Sequence, residues 1–277
     1  MGHDKLRKFA ENETFSCLLQ PSAQELLADG YFHLRDHAVK GHWAERFGNG
    51  HPIVLELGCG KGEYTIALAE RNPGCNYIGV DIKGARLWKG AKYATEHALP
   101  NVAFLRTRVE FISAFFAPGE VSEVWLTFSD PQYRSENSRL SSPLFLERYR
   151  GFLRPGGKVH LKTDSRFLHE YTRAVCEANG LRILACTTDL YGTASASADI
   201  PEEVRSVKTF YESLFLEQGY PITYLSFVID HEGPYASPVE AGLFDTDHWR
   251  SVEGPRLLFG HDSAETRRQK LHAGETL

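Results

Sequence analysis

VLELGCGKG, at residues 54–62, reads as a buried strand that ends in a glycine-rich turn. An amphipathic helical pattern follows at once, over residues 63–71. Gly58, Gly60 and Gly62 let the backbone pass close to a ligand, because glycine has no Cβ atom. A helix that opens behind such a turn presents unpaired N–H groups to the ligand. The segment therefore predicts a nucleotide or nucleoside site at the carboxyl end of a strand.

Two acidic residues narrow the choice of ligand. Glu56 lies two residues before the first glycine, where a carboxylate would repel a pyrophosphate. The second predicted strand, residues 76–81, ends in Asp81, which is placed to accept hydrogen bonds from ribose hydroxyls. Together they favour S-adenosylmethionine, which has a ribose, a sulfonium cation and no phosphate. We assign Glu56, Gly58, Gly60 and Asp81 to cofactor binding. The glycines taken alone are equally typical of an ordinary tight turn.

The rest of the chain alternates between strand and helix patterns. This alternation predicts an α/β fold: a Rossmann-like, mostly parallel sheet of seven strands, with helices on both faces and a late hairpin, as in class I methyltransferases. The predicted strands lie at residues 53–57, 76–81, 102–106, 123–128, 158–162, 181–187 and 223–229. The predicted helices lie at 63–71, 84–97, 109–115, 142–152, 165–179 and 201–217.

Three parts are predicted along the chain. Residues 1–50 form a segment that packs on the core through its aromatic side chains, residues 51–230 form the methyltransferase domain, and residues 231–277 form a partly disordered C-terminal extension. The aromatic residues of the first part are Tyr31, Phe32, Trp43 and Phe47. Residues 194–198 predict a flexible loop of small side chains, and the chain is polar from Ser263 onward.

Composition indicates an ordinary globular protein with no membrane association. The chain has 277 residues, of which 42% are hydrophobic and 24% charged, and no apolar run approaches the ~18 residues of a membrane span. Its five scattered cysteines form no C-x-x-C pair and predict reduced thiols in a cytoplasmic protein. The net charge of −5 gives no global attraction to nucleic acid, so RNA binding would need a local basic patch.

Three further motifs carry candidate functional residues. Asp130 ends the fourth long strand, in Leu-Thr-Phe-Ser-Asp-Pro-Gln, and Pro131 holds it in extended geometry. Asp164 ends the next strand, in His-Leu-Lys-Thr-Asp. Thr209 and Glu212 share one face of a late helix. Each has a structural alternative: Asp130 as a turn-capping residue, Asp164 as a helix N-cap, and the Thr209–Glu212 face as an ordinary solvated surface.

These motifs resemble, in order, those of the bacterial tRNA (guanine-N7)-methyltransferases. The matching segments are LELGCGKG, YIGVD, FSDP, LKTD and TFYE, between about residues 53 and 229. The resemblance implies that Glu56 and Asp81 bind S-adenosylmethionine and that Asp130 is the active-site carboxylate at the point of methyl transfer, where it also meets the cofactor. It implies that Asp164, Thr209 and Glu212 contact a guanosine of tRNA, in the variable loop.

The chain departs from the family pattern in two places. The family follows its Asp-Pro with Trp-Pro and a dense basic run, whereas here only Arg134 and Arg139 are basic in that run. Arg134 stands where the family has a substrate-binding Lys, and Tyr133 stands at the Trp position, where it could stack on a base. The family's cofactor-contacting Asp after the third long strand is replaced by arginine, so Glu110, two residues further on, becomes the candidate contact with the adenine.

The resulting hypothesis is transfer of a methyl group from S-adenosylmethionine to guanine N7 in tRNA, by a monomer or homodimer that needs no metal ion and no obligate protein partner. Guanine N7 carries a free lone pair, so positioning and electrostatics suffice without a strong general base. Two alternatives stay open: a class I methyltransferase with a different substrate, and a non-catalytic RNA-binding paralogue.

Overall fold

The computed structural model describes residues 2–27, 33–192, 200–253, 257–258 and 261–262. Tyr31, Phe32, the small-residue loop at 194–198 and the polar tail from Ser263 lie outside the described residues, so the predictions for them are not tested. Within the described part, no helix is long and apolar enough to cross a membrane.

The described strands and helices alternate as the sequence predicts. The strands are β1 Leu18–Leu19, β2 Ile53–Leu57, β3 Asn76–Asp81, β4 Val102–Arg106, β5 Val121–Thr127, β6 Leu153–Thr163, β7 Ile183–Thr187, β8 Thr223–Val228, β9 Leu257–Leu258 and β10 His261–Asp262. The helices are α1 Gly2–Asn12, α2 Ala23–Leu26, α3 Trp43–Phe47, α4 Glu63–Arg71, α5 Gly84–Glu96, α6 Pro143–Arg150, α7 Arg166–Ala178, α8 Glu202–Ser206, α9 Phe210–Glu217 and α10 Thr246–Glu253. Short 3-10 helices cover Val109–Ala114 and Glu136–Ser138.

The main sheet has the strand order β1-β4-β3-β2-β5-β6-β8-β7. The strands from β1 to β6 in this order are parallel, and β8 runs antiparallel to both of its neighbours. From β2 the chain steps outward through β3 to β4, then returns to place β5 on the other side of β2. This reversal makes the carboxyl ends of β2 and β5 the topological switch point, where ligands bind in open α/β sheets.

Helices cover both faces of the sheet, as predicted. Alternate residues of the central strands β2 to β4 enter two separate hydrophobic cores, as the period of two requires. In β2, Leu55 and Leu57 enter the core with α6 and α7, whereas Val54 enters the core with α4 and α5. Glu56 shares the second face with Val54, and it therefore points toward α4.

Two details of the prediction are wrong. The sheet has eight strands rather than seven, because Leu18–Leu19 pairs in parallel with β4; a strand of two residues is too short to leave a periodic pattern. The helix predicted over 201–217 is two helices, α8 and α9. The chain turns extended at Val207, and Thr209 caps a new helix. The predicted part boundaries at residues 50 and 230 stay predictions.

Candidate active site

The glycine-rich turn lies at the switch point and has an open side. Gly58, Gly60 and Gly62 have φ angles of 80°, 58° and 73°, in the left-handed region that glycine enters without strain. The N–H groups of Gly58 and Cys59 donate to the Val80 carbonyl, at 2.8 and 3.0 Å. Apart from the chain neighbours of each glycine, no described atom lies within 4 Å of a Cβ added to Gly58 or Gly60. The turn is thus fastened to β3 on one side and can accept a ligand against its backbone on the other.

Gly62 is required for packing inside the protein rather than for the approach of a ligand. A Cβ added to Gly62 would lie 2.5 Å from the ring of Phe104, and one added to Gly79 or Gly90 would lie within 2.8 Å of the same ring. Phe104 is fully buried in β4. The turn, β3 and α5 therefore approach each other closely because three glycines leave room for one aromatic ring.

Asp81 holds the turn from the end of β3. Its carboxylate accepts hydrogen bonds from the N–H of Gly60 at 3.0 Å and from the N–H of Lys83 at 2.7 Å. A carboxylate has about four acceptor sites in its two oxygens, so two backbone donors leave capacity for a ribose hydroxyl. The structure therefore brings Asp81 and the glycine turn together, as the sequence predicts.

Glu56 lies directly beneath the turn and is 5% exposed. One oxygen accepts from the backbone N–H of Thr65, at 2.8 Å, and from its hydroxyl; the other accepts from the hydroxyl of Thr127. Burial raises the pKa of Glu56 to about 7, although these three hydrogen bonds favour the ionised form. The carboxylate thus links β2, α4 and β5 and is poised between its two protonation states near neutral pH.

Asp130 lies at the exposed edge of the site, three residues after β5 ends. Its carboxylate accepts from the N–H of Gln132 at 2.9 Å. Phe128 and Gln132 flank it with φ angles of 51° and 49°, which non-glycine residues rarely adopt. Strained backbone of this kind concentrates at functional sites. Because β5 adjoins β2, the structure brings Asp130 to the same sheet edge as the glycine turn.

The basic run after Asp130 is thinner than the sequence suggests. Arg139 is 1% exposed, and its guanidinium packs over the rings of Phe167 and Tyr171, at 4.8 and 4.3 Å. It donates to the carbonyls of Pro131 and Tyr133, at 3.3 and 3.4 Å. Arg139 therefore holds the loop, and of the two basic residues in this run only Arg134 is exposed.

The other two residues predicted in this region are exposed or half-buried at the site. Arg134 is exposed. The ring of Tyr133 is half-buried and meets the ring of Phe167 edge-on, at 4.9 Å. Its hydroxyl donates to Glu253 at 2.5 Å. The contact of Arg134 with substrate and the stacking of Tyr133 on a base stay predictions.

Asp164 follows β6 directly and is half-buried. The N-cap of α7 is its neighbour Ser165, whose hydroxyl accepts from the N–H of Leu168. The capping interpretation of Asp164 is therefore wrong, because the helix begins one residue later. Since β6 adjoins β5, Asp164 joins Asp130 at the carboxyl edge of the sheet.

Thr209 and Glu212 form a capping box on α9. The Thr209 hydroxyl accepts from the Glu212 N–H, at 3.2 Å, and the Glu212 carboxylate accepts from the Thr209 N–H, at 3.3 Å. Glu212 is fully buried and pairs with Lys162 at 2.8 Å. The solvated-face alternative is wrong for Glu212. A role in substrate binding for this pair stays a prediction, and in this arrangement the Glu212 carboxylate faces inward.

Lys162 is the residue that the sequence pattern missed. It is fully buried in β6, and its ammonium also donates to the carbonyls of Val204 and Val207, at 2.7 and 2.9 Å. Burial lowers its pKa to about 8, against the opposing effect of Glu212. A Lys within a strand pattern normally indicates a side chain that faces solvent. The carboxylate that pairs with Lys162 belongs to Glu212 in α9, far away in the sequence. Only the tertiary arrangement reveals the pair.

Glu110 lies in the 3-10 helix after β4 and is exposed. It pairs with Arg108 at 3.0 Å, and this pairing lowers its pKa against the effect of partial burial. Its contact with the adenine stays a prediction. Within the described residues, no group of three or more His, Cys, Asp or Glu side chains could hold a metal ion.

The chain is similar in sequence to known methyltransferases. The sequence profile of a family described as "Putative methyltransferase" matches residues 50–225. A tRNA (guanine-N(7)-)-methyltransferase of Christiangramia forsetii is 51% identical, over 82% of this chain and 98% of its own. A tRNA (guanine-N(7)-)-methyltransferase of Bacteroides thetaiotaomicron is 46% identical, over 86% of this chain and 90% of its own.

A solved structure supports the fold. An antibiotic-related methyltransferase aligns with a TM-score of 0.50 and 18% identity, over 70% of this chain and 95% of its own. The predicted class I methyltransferase fold is thereby confirmed, apart from the extra strand. With half-identical relatives matched over most of their length, the chain belongs to the tRNA (guanine-N(7)-)-methyltransferase family.

Proposed function

We propose that this protein transfers a methyl group from S-adenosylmethionine to N7 of a guanine in tRNA, in the cytoplasm. One observation carries the proposal: the switch point gathers the glycine turn, Asp81 and Asp130 at one sheet edge. Family membership supplies the reaction type and the substrate class.

The residues of the turn fit the cofactor. The open side of Gly58 and Gly60 would receive the nucleoside, and Asp81 has acceptor capacity for the ribose. Glu56, a buried carboxylate beneath the turn, would favour a cation in that place. When bound, S-adenosylmethionine supplies an electrophilic methyl group on a sulfonium sulfur. The proposal includes no metal ion and no obligate protein partner.

The remaining chemistry falls to the carboxylates beyond the turn. Guanine gains positive charge as N7 is methylated, and the exposed carboxylate of Asp130 stabilises that charge. Asp130 and Asp164 would accept hydrogen bonds from guanine N1–H and N2–H₂, which adenine lacks in that pattern. Acceptors that read a base edge require the base to be unpaired or turned out of its stack.

A substitution at Asp130 tests the proposal. Asp130→Asn keeps an oxygen to accept the Gln132 N–H but removes the charge. We expect the rate of N7-methylguanosine formation to fall by roughly 100-fold or more, the usual cost of losing one electrostatic contact to the transition state. S-Adenosylmethionine binding, followed by calorimetry, should persist. The matched control is Asp245→Asn, because Asp245 accepts a backbone N–H at the same 2.9 Å, from His248, at the start of α10.

The assay also separates the alternatives. A wild-type protein that binds S-adenosylmethionine but leaves every tRNA unmethylated would indicate a methyltransferase with another substrate. A protein that binds tRNA but not S-adenosylmethionine would indicate the RNA-binding paralogue. Either result would end the proposal.

A further inference from the structure

One side chain of the C-terminal extension, that of Glu253, contacts residues on both sides of the candidate active site. Glu253, the last residue of α10, accepts from the Tyr133 hydroxyl at 2.5 Å with one oxygen. Its other oxygen accepts from the Ser165 hydroxyl at 3.0 Å and from the Phe167 N–H at 2.5 Å. One carboxylate therefore joins the loop that follows Asp130 to the first turn of α7.

The charge of Glu253 suits this position. The first N–H groups of a helix have no partner within the helix, and a negative charge there is favourable. The 13-residue helix α7 presents its amino end to Glu253, beside Asp164. The carboxylate thus fastens the residues that immediately follow Asp164.

Further contacts hold the extension against the same elements. The ring of Phe244 meets those of Phe167 and Tyr171 edge-on, at 5.2 and 5.3 Å. Ser237 donates to Glu136, which also accepts from the Tyr171 hydroxyl at 2.8 Å. The loop from Pro131 to Arg139 is consequently bound on one side by α7 and on the other by the extension.

We propose that Glu253 is a positioning residue for methyl transfer, which rests on the function proposed above. By tying Tyr133 to the start of α7, it fixes the spacing between Asp130 and Asp164, the two carboxylates that would read and stabilise the guanine. The cofactor side of the site, at the glycine turn and Asp81, has no part in this link.

Glu253→Gln tests the link with little change in volume. A carboxylate accepts all three hydrogen bonds, whereas an amide offers one oxygen and turns an NH₂ group toward remaining donors. We expect kcat on tRNA to fall roughly tenfold, because small errors in the placement of reacting groups are costly. The KM for tRNA, the Kd for S-adenosylmethionine and the Tm should change little. Glu240→Gln, an exposed substitution in the same extension, should change none of these quantities.

A double-mutant cycle adds a second test. Tyr133→Phe removes only the hydroxyl that Glu253 accepts from, so its effect on kcat should be smaller than that of Glu253→Gln. The combined variant should be no slower than Glu253→Gln alone, since both changes break the same link. If the combined variant lost as much kcat as the two single losses added together, expressed as free energies, the proposal would be overturned.

Amide hydrogen exchange tests, independently of turnover, whether Glu253 holds the loop after Asp130 to the start of α7. In Glu253→Gln the Phe167 amide and the amides of residues 132–135 should exchange faster than in wild type, and in Glu240→Gln they should not. If the wild type methylates no tRNA, the proposed function fails while exchange still reports whether the link exists. Unchanged exchange would overturn the proposal, as would an equal loss of turnover, cofactor affinity and Tm.

Discussion

At the scale of the residue, Glu56 shows how burial creates a titration near neutral pH. Its three hydrogen bonds come from Thr65 and Thr127, whose hydroxyls have no charge to offset the loss of hydration. Burial therefore dominates, and the pKa rises to about 7 from an ordinary 4.5. The spacing between Glu56 and the glycines in the sequence was enough to predict a carboxylate at the turn. Its pKa was not predictable, because burial and the hydrogen bonds from Thr65 and Thr127 exist only in the folded protein.

The raised pKa predicts a pH dependence of stability. Between pH 4.5 and 7 the folded protein binds this proton more tightly than the unfolded chain. The contribution of Glu56 is therefore complete below about pH 4.5 and is lost as the pH rises through about 7. Relative to Glu56→Gln, the wild-type free energy of unfolding should fall by on the order of 2–3 kcal/mol between pH 5 and 8.

Urea unfolding at several pH values measures this difference. Glu240→Gln, exposed and remote from the turn, is the control and should follow the wild type. Parallel curves for wild type and Glu56→Gln would show that Glu56 titrates as an ordinary surface carboxyl.

At the scale of the element, the buried pair of Lys162 and Glu212 holds α8 and α9 against the sheet. Lys162 donates to the carbonyls of Val204 in α8 and of Val207 just after it, and Glu212 is part of the capping box of α9. The break between these helices has one sequence signal, the Thr209-x-x-Glu212 capping box, but the apolar pattern of residues 201–217 continues through the break. Strands β2 to β6 were predictable, because buried parallel strands leave continuous apolar runs. Strand β8 is antiparallel but equally buried, so it leaves an apolar run of the same kind. Strand β1 and the Glu253 contact left no such pattern.

Lys162→Met should destabilise the protein by about 3–5 kcal/mol, because it leaves the Glu212 carboxylate buried without a positive charge beside it. Adding Glu212→Gln, which keeps an oxygen for the capping box, should recover part of this loss. Denaturant unfolding of both single variants and the double variant measures the coupling.

Lys158→Met provides the control on the same strand. Lys158 pairs with Glu123 at 3.4 Å, but its side chain is 45% exposed. Its loss should cost roughly 1 kcal/mol or less. Equal effects at the two lysines would contradict a special role for the buried pair.

At the scale of the whole molecule, the described parts of residues 2–50 are built into the core. Trp43 is fully buried and donates from its indole N–H to the Phe115 carbonyl at 2.9 Å. Asn12, 1% exposed, donates to the Gly84 carbonyl at 3.0 Å. Strand β1 adds to the edge of β4. The described segments of residues 2–50 therefore share the sheet and its cores with the residues that follow.

A chain that begins at residue 51 should consequently be much less stable than the full protein. Loss of a buried Trp alone costs about 3–5 kcal/mol when its space is left empty. A chain that begins at residue 13 keeps Trp43 and β1 and should lose much less. Soluble yield and the midpoint of urea unfolding distinguish the two, and equal stability of all three chains would show that residues 51–277 fold without the first 50 residues.

The position of β8 between β6 and β7 has a consequence for synthesis on the ribosome. The ribosome synthesises β6 and β7 before β8, which lies between them in the sheet. The edges of β6 and β7 that pair with β8 therefore stay unpaired until residues 223–228 have been made. An open strand edge invites pairing with another nascent chain. Lys158 and Lys162 lie on one face of β6, and charged side chains oppose such pairing during the interval.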